Sequence, residues 1–526
     1  MKRIYILLSL VVLLAGCWQR KDIVILFDND VHCAVSMYPL MASLRDSALS
    51  HTPNVAVVSA GDFAQGDLLG SLSQGEYIVS IMNAVPYNVT TIGNHEFDYG
   101  IVQQNKLADR LTADVVCCNL SDTLGNLLYT PYSIKQYGDR KVAFVGAATP
   151  TTFTSATPTF FEDSLGNIMF DFHTDDSFEL IQQSVDEARS KGADYVIVLS
   201  HLGDDSRIAK STDMVAATRG IDVVLDGHSH HFLDLRLPNA DGDTVMLLST
   251  GSKGQRIGCL TIKTDGALVS SFCDPMTVAP KQSVADTVEH YVELARKSVS
   301  AVVGYCAVNL IDRDEDGNRI IRMSETNLSD FVADALCYVT GAQIGVIHGG
   351  SLRSSVFKGD ITMAEIISLL PFNNHLAKVS MTGQQLLDAM EVAVADYPEE
   401  SGDFHICSGL RYTIDPSVPS SVVYDKDQLF VSVGATRRIV KMEVEDPKTH
   451  KYKPIDLNAT YTIGGLDYTL LQKGAAGMYR YSTPLPCEPM KDTEVVLSYI
   501  KHLGDTIPAF LYGNEKGQGR FAVVKK

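Results

Sequence analysis

The sequence predicts an α/β protein with two domains joined by a helix. Its 526 residues exceed what one hydrophobic core usually serves, so two domains are the first expectation. Apolar residues make up 45% of the chain and charged residues 20%, which indicates globular packing and excludes disorder as the main state. In the first half, short β-branched runs alternate with longer mixed segments, as in a sheet whose strands are connected by helices.

The first domain, residues 22–278, contains apolar runs that are typical of buried central strands. These runs cover residues 23–27, 55–58, 142–145, 195–199 and 223–225. Polar residues follow the ends of the runs, among them Asp30, His32, Asp62, His201, His228 and His230. Because open α/β sheets bind ligands at the carboxyl ends of their strands, we expect a site at this edge.

A helix over residues 281–300 is predicted as the connector, because its apolar residues recur at helical spacing without Gly or Pro after Pro280. The second domain, residues 301–526, mixes both kinds of element. We expect helices over 328–339 and 384–394 and strands over 410–414 and 429–433. The pattern of this half is therefore a second α/β domain.

The N-terminus has the layout of an export signal: Lys2 and Arg3, an apolar run over 4–14, and then small residues. The segment 14–17, Leu-Ala-Gly-Cys, resembles a bacterial lipoprotein signal, which implies cleavage after residue 16 and a lipid on Cys17. An ordinary secretory peptide and an uncleaved anchor are the alternatives. We expect an exported protein held on a membrane by Cys17, in the outer membrane because Trp18 follows the cysteine.

The net charge of −19 and the pI near 5.1 argue against a nucleic-acid polymer as partner, because binding phosphate backbones needs a basic face. An anionic substrate must therefore be held by a few local cations. Ten cysteines are too few for a disulfide scaffold. Cys259 and Cys273 either pair across a hairpin or stay as free thiols, and we expect a monomer or a dimer.

Five ordered clusters carry the chemistry of the first domain. They are Asp30-Val31-His32, Gly61-Asp62, Gly93-Asn94-His95-Glu96-Phe97-Asp98, Ser200-His201 and Gly227-His228-Ser229-His230. Together they resemble the calcineurin-like metallophosphatases, and the run NHEFD narrows the resemblance to the 5′-nucleotidase family. The resemblance implies a four-layer αββα metallophosphoesterase domain over 22–278 and a 5′-nucleotidase C-terminal domain over 301–526, joined by the helix.

The resemblance also implies two divalent metal ions. Asp62 would bridge them, since a carboxylate can serve two ions about 4 Å apart. One ion would take Asp30, His32 and His230, and the other would take Asn94, His201 and His228. Imidazole, carboxylate and amide ligands suit Zn, Mn, Co or a similar metal, so the ligand types do not select one.

His95 lies beside the ligand Asn94 and is assigned to catalysis by the same resemblance. It would stabilise the charge that develops on the phosphate or protonate the leaving oxygen, with Asp98 orienting its ring. The alternative for Asp98 is a turn carboxylate before Tyr99-Gly100.

The second domain supplies the substrate contacts. Arg322, in the run 322–328, and Arg353, after Gly349-Gly350, stand where the family grips the substrate phosphate. Phe404 stands where the family stacks one ring on the nucleobase. The second ring is replaced by Met478, and the family's asparagine before its glycines is replaced by His348, so the base contacts depart from the pattern.

These observations predict an exported 5′-nucleotidase that hydrolyses nucleoside 5′-monophosphates to nucleoside and phosphate. A UDP-sugar hydrolase or a 2′,3′-cyclic-nucleotide phosphodiesterase on the same metals is the alternative. A third possibility is an inactive nucleotide-binding surface lipoprotein. Against it, every predicted metal position holds a residue that can bind a metal.

Overall fold

The computed structural model describes residues 20–163, 167–206, 208–426, 428–488 and 490–524. The predicted signal sequence 1–17, with Cys17, lies outside these ranges. In the part of the chain that is described, no helix has both the length and the apolar character needed to span a membrane.

Two six-stranded sheets form the first domain. The first sheet has the strand order Leu268–Cys273, Ile257–Ile262, Ile23–Asp28, Val55–Ser59, Val89–Thr90, Asp114–Val115. The second sheet has the order Phe232–Pro238, Thr244–Thr250, Val223–Asp226, Tyr195–Ser200, Arg140–Ala147, Tyr132–Tyr137. The five runs predicted from the sequence all lie in central strands of these sheets.

The two sheets pack face to face, and helices cover their outer sides. Ile25, Phe144 and Ile197 belong to the apolar core between the sheets. The outer helices of the first sheet are Tyr38–His51 and Glu76–Ala84, and those of the second are Ser177–Ser190 and Ser211–Ala217. Alternate residues of one strand serve the two cores, since Ile25 faces the second sheet and Leu26 faces the helices. The predicted four-layer αββα arrangement is confirmed.

Parallel pairing in both sheets brings the strand ends to one edge of the domain. Asp28 pairs with Ser59 in the first sheet. In the second sheet Ala147 pairs with Ser200, and Ser200 pairs with Asp226. The antiparallel strands, which the apolar runs do not reveal, lie at the edges, where they leave this arrangement intact.

A helix spans Gln282–Ser298 between the domains, and it packs on the first domain. Val284 and Ala295 are buried in the core beneath Tyr38–His51, and the ring of Tyr291 stacks on that of Tyr77 at 4.7 Å. The connector is therefore a fixed part of the first domain's outer layer.

The second domain is built on a five-stranded sheet of order His405–Ser408, Ile344–His348, Thr460–Leu466, Leu376–Thr382, Thr483–Leu485. A four-stranded sheet, Tyr452–Pro454, Ile439–Glu445, Leu410–Ile414, Phe521–Val523, and a three-stranded sheet, Gly359–Thr362, Val302–Cys306, Thr506–Ile507, accompany it. Its longer helices are Asn327–Thr340, Met363–Leu369, Gly383–Ala393 and Asp492–His502. The helix Asn327–Thr340 starts at a capping box made by Thr326 and Ser329.

Cys259 and Cys273 are both free thiols in the structure. They lie on adjacent antiparallel strands, but Cys259 is opposite Ser271 and Cys273 is opposite Ile257. The register therefore places the two cysteines diagonally, and the free-thiol alternative describes this structure.

Candidate active site

The predicted metal ligands all follow strand ends at the shared edge of the two sheets. Asp30, His32, Asp62 and Asn94 come from loops of the first sheet, and His201, His228 and His230 come from loops of the second. Most of these side chains are buried, and His230 is half-buried. The ligands therefore come from both sheets and meet at one end of the sandwich.

Asp30, His32, Asp62 and His230 form one group whose ligand atoms all lie within 4.8 Å of one another. Nε2 of His32 lies 3.0 Å from Nε2 of His230 and 3.7 Å from Oδ2 of Asp62. Nε2 of His230 lies 3.6 Å from Oδ1 of Asp30. This group provides two nitrogen and two carboxylate donors for one cation.

The other three predicted ligands form a second group that also reaches Asp62. Nε2 of His201 is 3.1 Å from Oδ2 of Asp62, and Nδ1 of His228 is 2.9 Å from Oδ1 of Asn94. The rings of His201 and His228 are 5.4 Å apart. Asp62 therefore stands between the two groups, where a bridging carboxylate has to be.

Two of the imidazoles are suited to bind a metal through Nε2, because main-chain carbonyls hold their Nδ1 atoms. Nδ1 of His32 donates to the carbonyl oxygen of Gln65 at 3.0 Å, and Nδ1 of His201 donates to that of Ala60 at 2.6 Å. This tautomer presents the Nε2 lone pair to the centre. Nε2 of His201 is buried and makes no well-aligned hydrogen bond among the described residues, although Oδ2 of Asp62 lies 3.1 Å away, so a cation beside these two atoms would engage the lone pairs of both.

The charges of the site also suit a cation. Burial lowers the pKa of His228 to about 3 and that of His32 well below its usual range, so both rings are neutral. Burial lowers the pKa of His201 too, but the carboxylates of Asp62 and Asp30 outweigh this effect and raise it to about 10. These carboxylates favour a positive charge near Nε2 of His201, and a divalent ion would provide it.

The main chain is strained at five of the seven ligand positions. Asp30, His32, Asp62, His228 and His230 have φ angles of 48°, 44°, 57°, 76° and 60°, in the left-handed region that side chains usually avoid. Each such residue costs on the order of 1–2 kcal/mol, so the surrounding structure must hold it there. Strain concentrated on one set of residues marks a functional site.

Gly93 allows the close approach of these loops. A Cβ atom at this position would lie 2.1 Å from Oδ1 of Asp62 and 2.7 Å from Nε2 of His201. No side chain fits in this space, so the glycine before Asn94 is required by the packing of the ligands.

Glu96 is a site residue to which the sequence pattern assigned no role. Its carboxylate is fully buried and accepts four main-chain N–H bonds. The donors are Asp62 at 2.8 Å, Phe63 at 2.8 Å, Ala64 at 3.0 Å and Gly93 at 2.6 Å. Glu96 therefore holds the loop of Asp62 and the loop of Asn94 together from beneath. Its position inside NHEFD was the only signal in the sequence.

His95 and Asp98 form the pair that the sequence predicts. Nδ1 of His95 donates to Oδ2 of Asp98 at 2.6 Å, and the main-chain N–H of His95 donates to Oδ1 of Asp62 at 2.9 Å. Burial lowers the pKa of His95, but the charges of Asp98 and Asp62 outweigh it and raise this pKa above the usual value. The ring is thus positioned and biased toward its protonated form, as a general acid must be.

Arg353 reaches the metal-ligand cluster from the second domain through Phe372. Its guanidinium carbon lies 5.6 Å from the centre of the Phe372 ring, and the ring of His95 lies 6.4 Å from the same centre at an interplanar angle of 24°. The charges of Asp98 and Asp62 act on Arg353 across the domain boundary. Phe372, which follows Leu370-Pro371 in the sequence, is a second residue to which the sequence analysis gave no role.

Arg322 is partly buried in the second domain, near enough to Arg353 for the two charges to interact. Burial, together with the nearby Arg319 and Arg353, lowers its pKa well below the usual value. Its Nε has no hydrogen-bond partner among the described residues, so this guanidinium still has a donor to offer. Arg319 differs, because Glu400 already neutralises it at 2.7 Å.

Both ring nitrogens of His348 form hydrogen bonds inside the protein. Nδ1 donates to the carbonyl oxygen of Gly402 at 3.0 Å, and Nε2 accepts from the hydroxyl of Ser351 at 2.7 Å. Burial lowers its pKa to about 3, so the ring is neutral. The structure thus gives His348 a role in holding the loops around Arg353 and leaves it no free nitrogen for a substrate.

The structure contradicts the prediction that Phe404 and Met478 flank a nucleobase. Phe404 is 2% exposed and packs edge-on against Phe521 at 5.0 Å. Met478 is 1% exposed and belongs to the same apolar core. Both side chains point into the domain, where Phe521 of the C-terminal strand Phe521–Val523 packs against this core, so neither offers a face to a ligand.

Two contacts join the domains beside the cleft. The hydroxyl of Tyr468 donates to the carbonyl oxygen of Thr154 at 3.3 Å, and Nζ of Lys473 lies 2.5 Å from Oε1 of Glu162. With the contact between Phe372 and His95, they hold the second domain over the metal ligands.

This two-domain fold, with its cluster of carboxylates and imidazoles at the strand ends, defines a metallophosphoesterase, which is a phosphoric ester hydrolase. Residues 23–232 match the calcineurin-like phosphoesterase family, and residues 302–481 match the 5′-nucleotidase C-terminal domain. Together the two matches show that the chain belongs to the 5′-nucleotidase family.

Relatives extend over almost the whole chain. The 5′-nucleotidase of Homo sapiens is 25% identical over 94% of this chain and 90% of its own. The trifunctional nucleotide phosphoesterase protein YfkN of Bacillus subtilis is 23% identical over 95% of this chain, which spans only 35% of that longer protein. The solved structure of a 5′-nucleotidase precursor from Thermus thermophilus has the same fold, with a TM-score of 0.79 at 23% identity, covering 96% of this chain and 100% of that one.

Proposed function

We propose that this protein is a 5′-nucleotidase that hydrolyses nucleoside 5′-monophosphates to nucleoside and phosphate with two divalent metal ions. The observation that carries the proposal is the convergence of Asp30, His32, Asp62 and His230 within 4.8 Å, facing Arg353 of the other domain. The names of the relatives, a 5′-nucleotidase and a nucleotide phosphoesterase, support the nucleotide as substrate.

The residues of the first domain have distinct tasks in this proposal. Asp30, His32 and His230 would hold one ion, Asn94, His201 and His228 the other, and Asp62 both. When bound, the ions would polarise the phosphoryl group and activate water for an in-line displacement. His95, kept protonated by Asp98, would donate its proton to the leaving ribose oxygen or stabilise the phosphate.

Arg322 and Arg353 would hold the phosphate from the second domain. Arg353 and His95 both lie beside the Phe372 ring, so a phosphate between the arginine and the ligands would also lie beside the proton donor. The two cations would supply locally the positive charge that the net charge of −19 lacks.

The test is phosphate release from AMP by the Mn²⁺-loaded protein. We expect Asp62→Ala to abolish release and His95→Ala to slow it by a factor of about 10²–10⁴. The control is His290→Ala, on the exposed side of the connector helix, which should leave the rate unchanged. Undiminished release in both site variants would refute the assigned site.

A second candidate is the hydrolysis of UDP-sugars or of 2′,3′-cyclic nucleotides on the same metal ligands. The burial of Phe404 and Met478 leaves neither position with a contact that would select a monophosphate over these esters. Replacing AMP by UDP-glucose and by 2′,3′-cyclic AMP separates the candidates by kcat/KM, with UMP and the ring-opened adenosine monophosphate measured by chromatography because neither hydrolysis releases inorganic phosphate. Tight AMP binding without hydrolysis of any of the three substrates would instead indicate the inactive nucleotide-binding protein.

We also propose that the protein is exported and anchored in the outer membrane through a lipid on Cys17. The charged start, the apolar run 4–14 and the small residues before Cys17 support this proposal. Labelling cells with a radioactive fatty acid tests it: wild type should carry the label in the membrane fraction, and Cys17→Ser should lose it. An equally labelled Cys17→Ser variant would refute the anchor.

A further inference from the structure

Lys253 lies in the loop 251–256 of the first domain, next to the metal ligand Asp30. The main-chain N–H of Lys253 donates to the carbonyl oxygen of Asp30 at 2.7 Å. The side chain of Asn29 ties the two loops together, because its Nδ2 donates to the carbonyl oxygen of Gly251 and to Oδ2 of Asp30, both at 2.7 Å. The main chain of Lys253 is therefore fixed relative to the metal ligands.

This main chain is also strained. Lys253 has a φ angle of 52°, in the left-handed region, which costs a lysine on the order of 1–2 kcal/mol. The next residue, Gly254, is packed tightly, since a Cβ atom there would lie 2.9 Å from Cβ of Met37. Lys253 shares its strained conformation with five of the metal ligands, and such strain persists only where the surrounding structure holds it.

The ammonium group of Lys253 has no partner of its own. The side chain is exposed and forms neither an ion pair nor a hydrogen bond with another described residue. The charges of Arg353 and Arg313, which belong to the second domain, repel it. The carboxylates of Asp67 and Asp312 attract it from a distance. The lysine therefore lies where the two domains face each other.

Both of these carboxylates have other partners. Oδ1 of Asp67 accepts the main-chain N–H of Leu68 at 2.6 Å. Asp312 accepts the hydroxyl of Ser355, and its other oxygen lies 3.5 Å from Nε of Arg313. The lysine is thus left as a cation without a counter-ion, and an anion that enters the cleft would supply one.

Arg353 is the second cation without a carboxylate partner, and it faces the lysine from the other domain. The charge of the metal ligand Asp62 acts on Arg353. No metal ligand is among the four charges that act most strongly on Lys253. Arg353 is therefore placed to hold a phosphate at the metal ligands, and Lys253 is placed to hold a further anionic group beside it.

Resting on the proposed function, we propose that Lys253 binds the second phosphate of a nucleoside diphosphate whose terminal phosphate lies between Arg353 and the metal ligands. A single phosphate already meets Arg322, Arg353 and the metal site, so a further cation serves a substrate with a further negative charge. In the reaction, the oxygen of water bonds to the terminal phosphorus, and the bond from this phosphorus to the bridging oxygen breaks. ADP and water thus give AMP, which keeps the bridging oxygen, together with hydrogen phosphate and one proton.

The experiment compares kcat/KM for ADP and AMP on the full Mn²⁺-loaded chain, with the initial products measured by chromatography. Lys253→Met keeps an unbranched side chain but removes the charge. It should lower the value for ADP at least about tenfold more than the value for AMP, because a hydrogen bond between charged groups contributes a factor of this size. An equal change for both substrates, no change for either, or a wild type that hydrolyses AMP but not ADP would overturn the proposal.

Two further variants separate charge from shape and from general effects. Lys253→Arg keeps the positive charge, so the ratio of the two kcat/KM values should stay within about threefold of wild type. A loss as large as that in Lys253→Met would count against a contact based on charge. Lys448→Met changes an exposed lysine in a turn of the second domain and should leave both values unchanged.

Chemical modification tests the contact without catalysis. A limiting amount of acetic anhydride acetylates accessible lysines of the Mn²⁺-loaded chain, and mass spectrometry measures the extent at Lys253. The methylene-bridged analogue of ADP, which is not hydrolysed, should suppress acetylation of Lys253, whereas inorganic phosphate should not, and Lys448 should react equally in all samples. Unchanged reactivity of Lys253 with the analogue would overturn the proposal. Protection of Lys253 in a chain that hydrolyses neither nucleotide would refute the proposed function and leave this inference standing.

Discussion

Glu96→Gln is predicted to weaken the metal centre although Glu96 is not a predicted ligand. One carboxylate oxygen accepts from Phe63 and Ala64, and the other accepts from Asp62 and Gly93. A glutamine replaces one oxygen by an NH₂ group, which cannot accept. Two of the four bonds are lost, and two main-chain donors then face another donor in a buried space.

The magnitude follows from those two bonds. A hydrogen bond to a charged acceptor contributes about 1.5–3 kcal/mol, so two lost bonds cost about 3–6 kcal/mol. This is a large part of the roughly 5–15 kcal/mol by which a domain is stable. The released loop carries Asp62 at a φ of 57°, and removing its support should lower metal affinity by about 10–100-fold.

Two measurements on Glu96→Gln test this reasoning. Urea denaturation of the metal-free chain should show the loss of stability, and Mn²⁺ titration by calorimetry should show the loss of affinity. Glu289→Gln, an exposed glutamate on the connector helix, is the control and should stay within about 0.5 kcal/mol of wild type. Wild-type stability and affinity in Glu96→Gln would refute the account of the loop.

Three other predictions concern the cleft, the metal and pH. Phe372→Leu removes the ring between His95 and Arg353, so kcat should fall about tenfold with little change in KM, and Phe372→Tyr should restore it. An unchanged kcat in the leucine variant would contradict this role. Mn²⁺ at a hundred times its Kd should raise the free energy of unfolding by about 2.7 kcal/mol, and EDTA should reverse the gain. A metal-independent stability would contradict the ligand assignment. Burial raises the pKa of Asp492 from 3.8 to about 7, so the folded state binds this proton more tightly and its contribution to stability is lost as pH rises from about 4 to 7. Urea denaturation across this range should show a weaker pH dependence in Asp492→Asn, and an identical profile would refute the assignment.

The strands, and the edge of the sheets at which the site lies, could be predicted because they depend on local patterns. An apolar run followed by Asp or His needs only its own sequence to indicate a buried strand with a polar end, as after Ile23–Asp28. The pairing of the two sheets and their antiparallel edges depends on contacts between distant segments. The four-layer arrangement was reached only through the resemblance to a known family.

The burial of Phe404 could not be predicted, because its cause lies far along the chain, at Phe521. A motif marks where the main chain passes, but the direction of a side chain depends on what packs beside it. Glu96 illustrates the converse: its place in NHEFD was visible, whereas its four partners belong to two loops that meet only in the folded domain.

The two domains contribute different parts of the cleft. The first domain holds the metal ligands in a strained main chain that Glu96 supports, so this half of the site is built before any substrate arrives. The second domain brings Arg353 to His95 beside Phe372, and contacts such as the ion pair of Lys473 with Glu162 join the domains there. A phosphate between Arg353 and the ligands adds attraction across this boundary. A bound substrate would therefore strengthen the attraction between the two domains and hold the proposed proton donor, His95, close to the proposed phosphate-binding Arg353.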